Sequence, residues 1–234
     1  MSRRVERIRI SAGKLPELAA KEIVKSLTLA LRERGKASLC LAGGTTPRAV
    51  YEALASEQDL PWAAISAYFG DERCVEPDHI DSNYRMAREA LFERVPFAAD
   101  HIHRMQGENP NREQAAHDYE ALLPPAFDVL VLGIGEDGHT ASLFPNSPAL
   151  AETERRVLPV IGPKPPPERL TLTPPVLAAA RSVFVLAAGA GKASAVARAL
   201  EGPLDVGACP AQLVREAVWL TDHAAAGELT GNWP

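Results

Sequence analysis

Two hydrophobic patterns alternate along this chain. Short, nearly continuous apolar runs are separated by stretches whose apolar residues recur every three or four positions. "RIRIS" is a short strand. From Leu15 to Leu31 the apolar positions 15, 18, 19, 23, 27, 30 and 31 trace one face of a helix. "ASLCLAGG" is a buried strand ending in glycines, and "TPRAVYEALAS" a helix with Thr46 as N-cap and Pro47 in its first turn. "AISAYFGDE" is a strand ending in acids, "DSNYRMAREALFERV" a capped helix, and "NREQAAHDYEALL" another helix before the strand "FDVLVLGIG". "RRVLPVIG" and "RLTLT" are short strands. "SVFVLAAG", the helix "KASAVARALEG" and the strand "AVWLTD" complete the series. Apolar strands joined through helices predict an α/β fold, with a mostly parallel, doubly wound, Rossmann-like sheet covered on both faces. No repeat or linker-like change of composition interrupts it. The ten residues of "IGPKPPPERL" form a stiff loop, so residues 1–234 are expected to make one domain.

In such sheets ligands bind beyond the carboxyl ends of the strands. Four polar clusters fall there: "GGTTP", "GDER", "GIGEDGH" and "GAGK". Their convergence is a stronger signal than any one of them. Length and charge narrow the classes. The 234 residues suffice for a substantial core, and a net charge of −5 without a basic tract gives no reason to expect nucleic acid. Cys40, Cys74 and Cys209 are widely spaced and odd in number, which fits a reducing cytoplasm rather than a disulfide framework. The opening "MSRRVERIRIS" has no signal-peptide core, and no run approaches the ~20 apolar residues of a membrane span. Arg3, Arg4, Arg7 and Arg9 are expected in solvent.

Gly133, Gly135 and Gly138 match the G-x-G-x-x-G spacing of a dinucleotide loop. That motif needs a long helix immediately afterwards, and Pro145 and Pro148 forbid one. "AAGAGKAS" fails as a nucleotide P-loop, because Leu186 stands where a glycine is needed and Ala193 follows Lys192. A glycine turn at a helix start with Lys192 beside it remains, and it suits a phosphate. "LAGGTTPRAV" suits one better. Gly43 and Gly44 let the backbone approach a ligand, Thr45 and Thr46 add hydroxyls, and the following helix points its positive end at the site. No cofactor is expected.

His139 sits in a short, proline-bounded loop with Asp137 two residues before it. A carboxylate beside an imidazole fixes its tautomer and favours the imidazolium, which makes His139 a candidate general base. Asp71, Glu72, Arg73 and His79 share another loop. There an acid can hold sugar hydroxyls or act as a base, and Arg73 can pair with a carboxylate or phosphate. His101 and His103, with Asp100 adjacent, form H-x-H, but no second ligand cluster lies at a recognised spacing, so no metal is expected.

Taken in order, "LAGGTTPRAVYEAL", "YFGDERCVEPDHIDSNYRMAREALF", "FDVLVLGIGEDGHTASLFPNSPAL", "PPPERLTLTPPVLAAARSVFVLAAGAGKASAV" and "CPAQLV" resemble the 6-phosphogluconolactonases over nearly the whole chain. The related glucosamine-6-phosphate deaminases share G-x-D-G-H but carry a glutamate where this chain has Phe144, which favours the lactonases. The resemblance implies hydrolysis of 6-phospho-D-glucono-1,5-lactone to 6-phospho-D-gluconate, the second step of the oxidative pentose phosphate pathway. It implies Gly43, Gly44, Thr45 and the helix start as the phosphate cradle, with Arg169 and Lys192 neutralising the phosphate. His139 would lie at the lactone carbonyl, and Asp71 and Arg73 around the ring. Asp71 then either orients water or holds a hydroxyl. Asp137 either supports His139 or shapes its loop. The N–H groups of residues 135–139, or Arg73, would stabilise the oxyanion. The partner would be this small substrate alone, with neither membrane nor nucleic acid, and the resemblance implies a monomer. The competing readings are a sugar-phosphate deaminase or isomerase and a non-catalytic sensor. A sensor of this kind carries a DNA-binding helix pair, for which a chain running from a strand in its first ten residues to "GNWP" is expected to leave no room.

Overall fold

The computed structural model describes residues 8–11, 13–57 and 59–231. The side chains of Arg3, Arg4, Arg7 and Arg9 lie outside the described part. Six parallel strands form the main sheet: β1 (Ile8–Ser11), β2 (Ala37–Leu41), β3 (Ile65–Phe69), β5 (Val129–Gly133), β8 (Val183–Ala187) and β9 (Val218–Asp222), in the order β1-β9-β8-β5-β2-β3. The chain winds from β2 outward to β3 in one direction and from β5 through β8 to β9 in the other. The reversal therefore lies between β2 and β5, where a crevice opens at the strand ends.

Alternation along each central strand feeds two cores. Val129 and Val131 of β5 join Leu39 and Leu41 of β2 beneath α1 (Leu15–Arg34), α2 (Thr45–Leu54) and α3 (Asn83–Ala87). Leu130 and Leu132 face the other way, onto α4 (Arg112–Leu122), α5 (Pro174–Ala179) and α6 (Ala193–Leu200). Each such leucine removed from water is worth about 1.5–3 kcal/mol. This double burial is why the strands are nearly unbroken apolar runs. Among the described residues no helix is long and apolar enough to cross a membrane.

Three local expectations change. "RRVLPVIG" and "RLTLT" do not join the parallel sheet. As β6 (Val157–Ile161) and β7 (Glu168–Leu172) they pair antiparallel with each other, and β7 pairs with β4 (Asp71–Arg73) in a separate three-stranded sheet. The acids after β3 therefore belong to a second sheet that leans over the strand ends. Thr46 is not the N-cap of α2. Gly44, at φ 107°, occupies that position without a side-chain cap, and the helix begins at Thr45. The helix expected over 81–95 is capped by Ser82, whose hydroxyl accepts from the Arg85 N–H, but it passes from α3 into a π turn at Arg88–Phe92.

Candidate active site

The loop after β5 carries His139 and Asp137. The Nδ1–H of His139 lies 2.6 Å from Asp137 Oδ1, and the His139 backbone N–H donates to the same oxygen at 3.1 Å. An ionised carboxylate can only accept, so Nδ1 holds the proton and Nε2 is left for a ligand. Burial alone would raise the Asp137 carboxyl; the bond from His139 and its charge outweigh this and hold it at about 2. Gly135 makes the arrangement sterically feasible, because a Cβ there would stand 2.0 Å from His139 Nδ1 and 2.4 Å from Asp137 Oδ1. Gly138, at φ +93°, turns the chain between the two side chains. Phe144 packs against the imidazole with ring centroids 4.8 Å apart. Phe144 thus sets an apolar wall beside the imidazole.

The loop after β2 forms the opposite side. The N–H groups of Gly43, Gly44, Thr45 and Thr46 have no acceptor among the described residues, and they lie at the positive end of α2. Lys192 reaches the same cavity from the turn after β8, with no ion-pair partner among the described residues.

The antiparallel sheet closes the roof. Its register sets Arg73 of β4 directly across from Arg169 of β7. Like charges opposed in a ladder repel, and Asp71 on β4 offsets that repulsion at Arg169. Arg169 is 8% exposed, lies over the Phe144 ring, and its Nε has no partner. Burial pushes its guanidinium down, partly offset by Asp71. Arg73 donates to the Asp81 carbonyl and leaves its own Nε unpartnered.

A cavity of about 210 Å³ brings these groups together. Gly43, Gly44, Thr45, Thr46, Asp71, Arg73, His139, Arg169 and Lys192 all line it, and Asp137 stands behind His139. A larger depression of about 1140 Å³ lies beyond Phe144 and Arg169, mostly against prolines and aliphatic side chains of β6 and its approach, and it lacks the histidine.

Other singled-out residues fall elsewhere. Glu72 points away from the cavity. At 3% exposure it accepts from the N–H groups of Arg73 and Asn83 at 2.7 Å and of Tyr84 at 2.8 Å, and from the Ser82 hydroxyl at 3.1 Å. Burial pushes its carboxyl up to about 7 against those donors. It is a helix-start anchor. His79 accepts from the Asp81 N–H outside the cavity, His101 ends a 3-10 turn, and His103 stacks on Tyr68. Among the described residues no group of three or more His, Cys, Asp and Glu side chains is arranged to hold a metal ion. Two residues around Asp71 escaped the sequence reading: Asn83, which lines the cavity, and Ser142, fully buried, both bonded to Asp71. Polar residues of such common types carry no signal until their distant partner is known.

A carboxylate-held imidazole faces a cationic helix-start pocket at the switch point of a parallel sheet, an arrangement suited to acid–base chemistry on a small phosphorylated molecule. The family model described as glucosamine-6-phosphate isomerases/6-phosphogluconolactonase matches residues 11–221, and the chain belongs to that family. Among its relatives, a 6-phosphogluconolactonase of Synechocystis is 41% identical over 88% of this chain and 90% of its own length. A human 6-phosphogluconolactonase is 40% identical over 84% and 82%. The crystal structure of 6-phosphogluconolactonase from Thermotoga maritima superposes with a TM-score of 0.82 at 30% identity, over 92% of this chain and 98% of that one. A monomeric glucosamine-6-phosphate deaminase reaches the same TM-score at 22% identity, so the fold alone does not separate the two activities.

Proposed function

We propose that this chain hydrolyses 6-phospho-D-glucono-1,5-lactone to 6-phospho-D-gluconate, with His139 as general base. The observation that carries the reading is His139, held through Nδ1 by Asp137, facing a cavity whose other walls are Arg73, Arg169, Lys192 and the start of α2. The phosphate sits on Gly43, Gly44, Thr45 and Thr46, neutralised by Arg169 and Lys192. A lactone is an activated ester, so the step needs no covalent nucleophile. His139 takes a proton from water as the water oxygen bonds to C1. The imidazolium then returns that proton to the ring oxygen as the C1–O5 bond breaks, leaving a carboxylic acid that ionises.

The oxyanion needs donors, and the His139 loop has few to spare. The N–H groups of Gly135, Gly138 and His139 are spent on the His139 carbonyl, the Gly135 carbonyl and Asp137 Oδ1. Arg73, which lines the cavity, and the remaining N–H groups of Glu136 and Asp137 are the donors for the tetrahedral oxygen. The reading extends to a cytoplasmic enzyme, supported by three free cysteines, and to a monomer, which rests on the family resemblance. Size-exclusion chromatography with light scattering tests the monomer.

The deciding assay follows freshly generated lactone against its spontaneous opening, with wild type and His139→Ala. A base of this kind contributes about 10²–10⁴-fold. His139→Ala losing that factor in kcat supports the assignment, and a loss below about tenfold removes it. Ammonia release from glucosamine 6-phosphate would move the chain to the deaminase side of its family.

A further inference from the structure

We infer that Ser142 and Asn83 are positioning residues that clamp the Asp71 carboxylate as a fixed acceptor for the substrate's ring hydroxyls, beside His139 rather than in its place. The inference rests on the lactonase reading. Ser142 Oγ donates to Asp71 Oδ2 at 2.6 Å, and Asn83 Nδ2 donates to Asp71 Oδ1 at 3.1 Å and to the Asp71 carbonyl at 2.9 Å. Each carboxylate oxygen thus carries a donor, at a residue 7% exposed that lines the cavity. The carboxylate cannot turn without breaking one bond.

The donors are themselves held. Ser142 is 0% exposed, and its N–H donates to Thr171 Oγ1 at 3.1 Å. The Asn83 N–H is taken by Glu72. The Asn83 amide lies so close to Gly43 that a Cβ there would stand 1.9 Å from its Oδ1. A continuous set of contacts therefore runs from the phosphate loop at Gly43, through Asn83 and Asp71, to Ser142, three residues beyond His139. It sets the distance between the group that holds the sugar and the group that activates water. A carboxylate whose oxygens both accept from fixed donors is held in one orientation. It retains lone pairs for sugar hydroxyls. Of its two roles we assign it the second, as an acceptor turned toward the cavity between the phosphate loop and His139.

The test measures lactone hydrolysis as a function of pH by wild type, Ser142→Ala, Ser142→Thr, Asp71→Asn and the Asp71→Asn/Ser142→Ala double variant. Misplacing a group that orients substrate lowers turnover, so Ser142→Ala is expected to lose about tenfold or more in kcat with KM within about threefold. Ser142→Thr restores most of the loss. The double variant is no slower than Asp71→Asn alone, since Ser142 acts through Asp71. The acidic limb of the kcat profile stays in place in Asp71→Asn, because His139 carries it. Losses that multiply in the double variant, or an acidic limb abolished by Asp71→Asn, overturn the inference. So does a folded Ser142→Ala with wild-type kcat. If Ser142→Ala does not fold, Asn83→Ser removes the other clamp arm, and the same kcat loss and non-additivity with Asp71→Asn are required. A wild type inactive on the lactone defeats the functional reading itself, whereas an active wild type with an indifferent clamp defeats only this inference.

Discussion

At the scale of single residues, the site depends on how one glycine and one carboxylate treat His139. Gly135→Ala puts a methyl group 2.0 Å from Nδ1 at a position whose φ is ordinary, so backbone strain is not the issue. The imidazole must move instead. Displacement by an ångström costs about 10²-fold in kcat, and steady-state kinetics should show that loss while the protein stays folded. Asp137→Asn keeps an acceptor for Nδ1–H but removes the charge that favours the imidazolium, and a fall in kcat of roughly 10²-fold or more is expected. The pH dependence follows from the carboxyl held at about 2, below its ordinary 3.8. A depressed acid contributes stability that is complete above the unfolded value and lost as pH falls through the folded one. The difference in unfolding free energy between wild type and Asp137→Asn should therefore persist down to about pH 4 and shrink toward pH 2. A difference that declines between pH 7 and 5 would contradict the pairing.

At the scale of elements, what the sequence reveals depends on how local the physics is. The strand ends and their glycine turns are legible because buried strands are continuous apolar runs and glycine and proline punctuate them. That is enough to gather Gly43, Gly44, Asp71, His139 and Lys192 in advance. The antiparallel sheet was not legible. Asp71–Arg73 look like the tail of β3, and their pairing with Arg169–Thr171 spans about a hundred residues with no periodicity to announce it. Arg169 therefore entered only through family resemblance. The start of α3 was half legible. Ser82 is an evident cap, but Glu72, which serves α3 from ten residues before it, looked like a ligand residue. Its structural role makes a sharp prediction. Glu72→Ala strands three backbone N–H groups and a hydroxyl in a buried site, at about 1–3 kcal/mol for each group that finds no water. Urea unfolding should show a loss of roughly 3 kcal/mol or more, with lowered activity because Asn83 loses its anchor. A change below ~1 kcal/mol would show that the start of α3 does not depend on it.

At the scale of the whole molecule, the cavity joins two sheets that share few other polar links across it. Lys192 and the start of α2 belong to the parallel sheet, and Arg73 and Arg169 to the antiparallel one. Asp71 offsets the repulsion that Arg73 exerts on the buried Arg169. A phosphate on the start of α2 attracts Arg169 from one sheet and Lys192 from the other, so ligand should stabilise the fold more through its charge than through its sugar. Any ligand that binds only the native state adds RT ln(1 + [L]/Kd), about 2.7 kcal/mol at a hundred times Kd. For a chain of this size each kcal/mol raises Tm by roughly 2–4 °C, so 6-phosphogluconate at that excess should raise it by about 5–10 °C. Gluconate, which lacks the phosphate, should leave Tm nearly unchanged at the same concentration. Arg169→Ala and Lys192→Ala should each weaken the response to 6-phosphogluconate and raise KM for the lactone more than they lower kcat. Equal shifts with gluconate and 6-phosphogluconate would place the phosphate away from Arg169, Lys192 and the start of α2.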